Sequence, residues 1–270
     1  MLPDEKEVAE AIATEHAAEL AKMTALHDAV LAMMMADKWT VTKLPLVTAS
    51  VTRTMVGLLT KACKTFRCIQ ILCERGFHND ANSLVRVLME TMVAVILILQ
   101  KKSDQRARMY HAHSIAQSLK MLKEWKKTPG LKQKATKKMM QQTTDTLAAM
   151  MKKLPIGTDV SKHWSGPSGF RGACAALRHD TLYATLFRLT SSTSHASDLS
   201  AHVAVDPASD EFVYQLFPKV QGFHGPSFAS RELLWHMANR IDQRLGLGFA
   251  GTLAPHKLNK SELPMPTAKG

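Results

Sequence analysis

Apolar residues recur along most of this chain at steps of three and four, the period of an amphipathic helix. Between residues 4 and 36, Val8, Ile12, Leu20, Met23, Leu26, Val30 and Met34 follow that spacing behind acidic first turns, and the pattern predicts one long helix. Lys38 to Pro45 breaks it. A second helix runs from Pro45 to about Arg75 on Val47, Val51, Met55, Leu58, Leu59, Ala62, Phe66, Ile69 and Leu72, with Gly76 as its stop. A third starts at Asn79/Asp80, natural N-caps, and reaches Gln100. Its second half is apolar all round, as expected of a helix in the middle of a bundle. A fourth spans Asp104 to about Trp125. After a turn at Thr128-Pro129-Gly130, residues 131–153 form a peripheral helix rich in lysine and methionine. Leu154 to Gly169 is a loop, and helix resumes near Phe170. A short element at 209–217 precedes a last helix from Ser227 to Leu245. There is no βαβ alternation, internal repeat or convincing hairpin. The expectation is an all-α fold, a single bundle of seven or eight helices with long antiparallel N-terminal helices. Residues 1–40 would be a helical arm, 41–250 the bundle and 251–270 a disordered tail.

One stretch departs from the apolar-stripe pattern. If Tyr183 to His202 is helical, Arg188, Ser191, Ser192, His195 and His202 share one face, because steps of three, four and seven align side chains. An Arg aligned with a His suits RNA cleavage. The imidazole can move a proton at a ribose 2′-hydroxyl, and the guanidinium can offset charge on the phosphate. Ser191 and Ser192 would add hydrogen bonds. Asp198, three residues past His195, is either the group that orients its ring or a solvated acid. The bland alternative for the whole face is a buried Ser/His network.

Charge sharpens the picture. Net charge is +12 and pI near 9.6, which favours a polyanionic partner. Residues 1–20 hold six acids against Lys6, whereas residues 120–138 hold Lys120, Lys123, Lys126, Lys127, Lys132, Lys134, Lys137 and Lys138 against Glu124. Trp125 is the one aromatic of that basic segment, so it reads as an electrostatic rather than a stacking surface, or as a plain solvated face. The acidic arm and the basic segment could also pair two copies of the chain.

Other chemistries lack their signatures. Cys63, Cys68, Cys73 and Cys174 show no CxxC spacing and read as reduced, buried thiols. No HExxH, GxSxG, phosphate loop or dinucleotide fingerprint is present, so neither metal nor cofactor is expected, despite a scatter of histidines that includes His111, His113, His163 and His179. The N-terminus lacks a positive n-region, and the apolar run Leu84–Leu99 contains Arg86 and Glu90 and is short for a bilayer. No membrane partner and a cytoplasmic location are expected. Arg86 and Glu90 sit four apart on the third helix. They are either a structural ion pair or a pocket in which Arg86 binds an anion or Glu90 acts as base.

Two blocks of sequence carry resemblances. The spacing of Arg188 and His195 resembles the R-x(4–6)-H motif of the HEPN superfamily of helical ribonucleases, which act as dimers pairing two such motifs; Leu189 stands where those enzymes carry a polar residue. Ala81 to Glu90 resembles an A-x-x-L-x-R-x-L-x-E helix, followed by Arg106, Arg108 and Tyr110, and then Trp164, Arg171, Ala173, Tyr183, Ser191 and His195. Together these resemble a family of bacterial helical proteins classed only as a domain of unknown function, over roughly residues 45–205. The resemblance implies a bundle in which Arg86, Glu90, Tyr183, Ser191 and His195 converge. It supplies no activity, and its distant likeness to HEPN proteins suggests antiphage or toxin systems by fold analogy alone.

The leading expectation is therefore an RNA-directed helical protein, RNA rather than DNA, acting as a homodimeric, metal-independent endoribonuclease. Arg188 and His195 would be catalytic, with Ser191 and Ser192 assisting, and Arg86, Glu90, Tyr183, Asp198 and His202 would line the pocket. The lysine segment would hold the phosphate backbone. The alternative is a non-enzymatic scaffold or binding module for a protein or nucleic acid.

Overall fold

The computed structural model describes residues 3–39, 48–161, 163–165, 168–178, 184, 203–205, 212–214 and 218–258. Its elements are helical where the apolar period is helical, and the fold is all-α. Helices α1 (Pro3–Glu15), α2 (Ala17–Met35), α3 (Ala49–Glu74), α4 (His78–Gln100), α5 (Ser103–Lys127), α6 (Lys137–Met151) and α7 (Gly169–Ala176) are followed by α8 (His224–Leu245) and the short α9 (Ala250–Leu253). Among the described residues this count exceeds seven or eight for two reasons. The expected 4–36 helix divides at His16, whose backbone (φ −115°, ψ 19°) leaves the helical region, and α9 is too short to show a period.

Several boundaries move for local physical reasons. Asn79 and Asp80 lie inside the first turn of α4 rather than capping it, where Asp80 complements the helix dipole. The expected 131–153 helix starts only at Lys137, because Thr136 caps it: its Oγ1 accepts from the Met139 N–H at 3.2 Å. Residues 251–258, assigned by composition to a tail, form α9 and a 3₁₀ turn at Ala254–His256, held by Trp235 Nε1 donating to Leu253 O at 2.9 Å. A short antiparallel pair, β1 (Val203–Val205) and β2 (Phe212–Tyr214), appears where no hairpin was expected, with Val203 opposite Tyr214. Three-residue strands give too few alternations for a period of two to register.

The described residues group into two compact units. One draws on residues 1–40, 56–92 and 181–270, the other on 41–55 and 93–180. In the first, α2 packs against α1, α8 and α9, and Ile12, Met23, Leu26, Met33, Leu59, Phe66, Ile69, Phe223, Leu234 and Met237 are buried outright. Burial of each such large side chain contributes about 1.5–3 kcal/mol. Gly76 closes α3 at φ +80°; a Cβ there would lie 2.8 Å from both Val8 and Pro218, so only glycine permits this approach. In the second unit α5 packs on α6, and Ala112, Leu154 and Val160 form a small core under Met109, Leu147 and Met150.

Met92, Val93, Ala94, Val95, Leu97, Ile98 and Leu99 of α4 are all buried, as its all-round apolar sequence implies. By length and composition the whole helix His78–Gln100, longer than the apolar run Leu84–Leu99 within it, is long and apolar enough to cross a membrane; 61% of that window is buried inside the fold, the pattern of a core helix.

Candidate functional site

The stretch expected to carry catalysis lies outside the described residues. Arg188, Ser191, Ser192, His195, Asp198, His202, Tyr183 and also His179 fall there. The site is therefore built from what the two units hold.

The lysine segment folds back on itself. Because α6 begins at Lys137, the turn at 128–136 reverses the chain, and α5 and α6 become two walls of one groove of about 780 Å³. Ala116, Leu119/Lys120, Lys123 and Lys127 recur at steps of three and four along α5, so one face of that helix lines the groove. Met140 and Leu147 line it from α6. Lys120, Lys123, Lys126, Lys127 and Lys132 surround it, whereas Lys134, Lys137 and Lys138 are exposed elsewhere. Glu124 is the acid of the lining, and it pairs with Lys127 at 3.2 Å. The result is an aliphatic floor with a cationic rim.

Arg86 and Glu90 form an i,i+4 pair on α4, Nε to Oε1 at 3.3 Å. The Arg86 side chain is 18% exposed and that of Glu90 42%, so the pair is half-solvated. Of the two expected readings, the ion pair is the one these distances describe, and it shows that an apolar helix can still turn one polar stripe outward.

The second unit also gathers polar groups that spacing alone did not connect. Thr54 Oγ1 donates to Ser50 O at 2.7 Å, so the His111 Nε2 lying 2.9 Å away must donate to it, which places the proton of a neutral ring on Nε2. Burial first, then the Arg53 charge, pushes the His111 pKa down. His113 Nδ1 donates to Val160 O at 2.7 Å, its ring 5.8 Å from that of His163. His163 Nδ1 accepts from the Ser165 N–H at 3.2 Å and lies 2.6 Å from Ser165 Oγ. Trp164 meets Tyr110 edge-on at 5.3 Å. At the start of α5, Asp104 accepts from Thr48 (2.5 Å) and from Arg108 Nε (2.7 Å). Burial alone would raise the Asp104 carboxyl, but those two bonds and the Arg108 charge together hold it below the usual range.

Beside these groups is a smaller cavity of about 180 Å³ lined by Lys102, Gln105, Arg106, Met109, Trp164 and Ser165, with small residues of α7 behind them. Arg106, Trp164 and Ala173 had been singled out one by one in the sequence; nothing in their spacing shows that they share a wall. Among the described residues no group of three His, Cys, Asp or Glu is placed to hold a metal ion.

A family model, "Family of unknown function (DUF5677)", matches residues 53–212, more than half of the chain, and the chain belongs to that family. The matched span takes in the lysine groove and the smaller cavity. No curated protein and no solved structure gives a significant match.

Proposed function

We propose that the protein binds RNA through the groove between α5 and α6. The observation that supports this best is the ring of five lysines, answered by one already paired carboxylate, on a chain of net charge +12. A rim of ammonium groups spaced along one helix face suits successive phosphates, and the aliphatic floor of Ala116, Leu119, Met140 and Leu147 offers a surface for ribose or base faces. With no aromatic ring lining the groove among the described residues, affinity rests on charge and falls steeply with salt.

On this reading the protein is a metal-independent endoribonuclease related to HEPN enzymes, in which the groove holds the RNA and Arg188 and His195, paired across a homodimer, cut it. His195 would take the 2′-hydroxyl proton and Arg188 would offset the phosphate charge. The aliphatic floor favours one competing reading, a module that binds an acidic amphipathic helix of another protein.

Single-stranded RNA binding by fluorescence anisotropy, as a function of salt, separates these. Changing Lys120, Lys123, Lys126, Lys127 and Lys132 to Gln is expected to weaken binding at least tenfold and to flatten the salt slope by about 0.7 for each phosphate no longer neutralised. RNA should be cut in the presence of EDTA, and His195→Ala should stop cleavage without weakening binding. Unchanged affinity in the five-lysine variant sinks the groove as the RNA site. Binding without cleavage leaves a binding module.

A further inference from the structure

We infer that the cavity walled by Lys102, Gln105, Arg106 and Ser165 is a phosphate-binding site, distinct from the lysine groove and built to take one phosphoryl group. Its volume of about 180 Å³ has room for about six waters, enough to enclose a tetrahedral oxyanion but not a nucleoside. Among the described residues the polar lining brings a guanidinium, an ammonium and a carboxamide as donors and no carboxylate, and the Ser165 hydroxyl, which donates to Gly169 O at 3.2 Å, completes the wall. Trp164 and Met109 complete the walls and exclude part of the solvent, which strengthens any charge interaction inside.

The two cations are held there at some cost. Arg106 Nη1 donates to Leu97 O near the C-terminus of α4, a carbonyl that the end of a helix leaves without its usual partner. That bond fixes the side chain, and among the described residues the other guanidinium N–H groups have no partner. Arg106 is half-buried with no carboxylate beside it, and burial lowers its pKa. A desolvated cation of this kind is stabilised by a bound anion, and its planar fork matches two phosphate oxygens. Lys102 sits at φ +51°, a left-handed conformation that strains any residue but glycine, at the N-cap of α5 with no side-chain capping bond. Local folding would be served better by glycine at this turn. What lysine adds is an ammonium group at the cavity wall, and among the described residues it meets no acid.

Free inorganic phosphate and the terminal phosphate of a larger molecule present the same dianion, so the experiment uses both. Isothermal titration of the full chain with inorganic phosphate, at fixed ionic strength, is expected to show one site. Lys102→Gly should weaken binding about tenfold while melting no lower than the parent, since glycine relieves the backbone. Arg106→Lys should weaken it similarly by losing the fork. The five-lysine groove variant should bind phosphate as the parent does. No binding, binding indifferent to both cavity variants, or binding lost in the groove variant would overturn the assignment. Because RNA affinity and phosphate affinity are read in different variants, either reading can fail alone. A 5′-phosphorylated oligonucleotide that competes with phosphate, where its hydroxyl-ended counterpart does not, assigns the site to a terminal phosphate; failure of both to compete assigns it to the free ion.

Discussion

The two compact units differ in how much of their charge is answered by protein, although the second also holds the Asp104–Arg108 pair. In the first, buried charge meets protein. Arg231, 5% exposed, pairs with Glu19 of α2. Asp242, also buried, accepts from the Phe249 N–H at 2.8 Å and so pins the chain leaving α8. Even the exposed Lys38 is taken up by protein, donating to Leu247 O at 2.6 Å while lying 4.9 Å from the Phe249 ring centroid. In the second, Lys102, Arg106 and the lysines around the groove, Lys127 apart, meet no acid among the described residues. Buried charge that answers buried charge holds a fold together; charge that protein does not answer is left for a ligand. This contrast is what favours the second unit as the place for the proposed binding.

The contrast can be broken most sharply at Glu19. Glu19→Ala removes the carboxylate that the buried Arg231 pairs with, and the loss should be about 3 kcal/mol in urea unfolding. A loss below about 1 kcal/mol would show that the first unit's charges are as dispensable as those of the groove.

Acid should separate the units next. Burial depresses the pKa of His16, His27, His78 and His256 in the first unit, and in the second that of His111. His78 is an example: its Nε2 donates to Lys219 O at 2.7 Å, and burial of the ring, the largest influence on it, outweighs the backbone hydrogen bonds that favour the charged form. With folded pKa values below the ordinary 6.5, the unfolded chain takes up protons first as pH falls. The stability these neutral rings contribute is present above pH 6.5 and lost as pH drops through the folded values. Thermal melts from pH 7.5 to 5 should record that fall, with hydrogen exchange locating most of it in the first unit. A flat profile would contradict it.

The smallest effect belongs to the Arg86–Glu90 pair. At 42% exposure Glu90 is screened by water, and Glu90→Gln should cost no more than about 0.5 kcal/mol by urea unfolding. A cost of several kcal/mol would move this pair into the class of Arg231 and Glu19.

Helices were legible because their periods are long: α3, α4 and α5 each repeat the apolar step over six turns or more, and the sequence places all three within a few residues of their ends. The misses are short-range. One residue, His16, divides the N-terminal helix where its ring stacks on Phe223 at 4.3 Å, a meeting of residues more than two hundred apart that no local period encodes. The basic segment was visible as composition, but its shape was not. Thr136, the cap that turns a charge run into a groove, looks like any other threonine until the helix it starts is known. Arg106 and Trp164 were similarly visible as residues and invisible as neighbours.

Helix α6 has no fully buried side chain; half-buried Met140, Leu147, Met150 and Met151 attach it. An element so lightly anchored opens more readily than the rest of its unit, and its amides exchange with solvent before those of α5, which buries Ala107, Ala112, Leu119 and Leu122. One wall of the groove is thus expected to exchange between docked and released forms. Any occupant that touches both walls stabilises the docked form, so slowed exchange along 137–151 is a label-free meter of occupancy, whatever the occupant turns out to be.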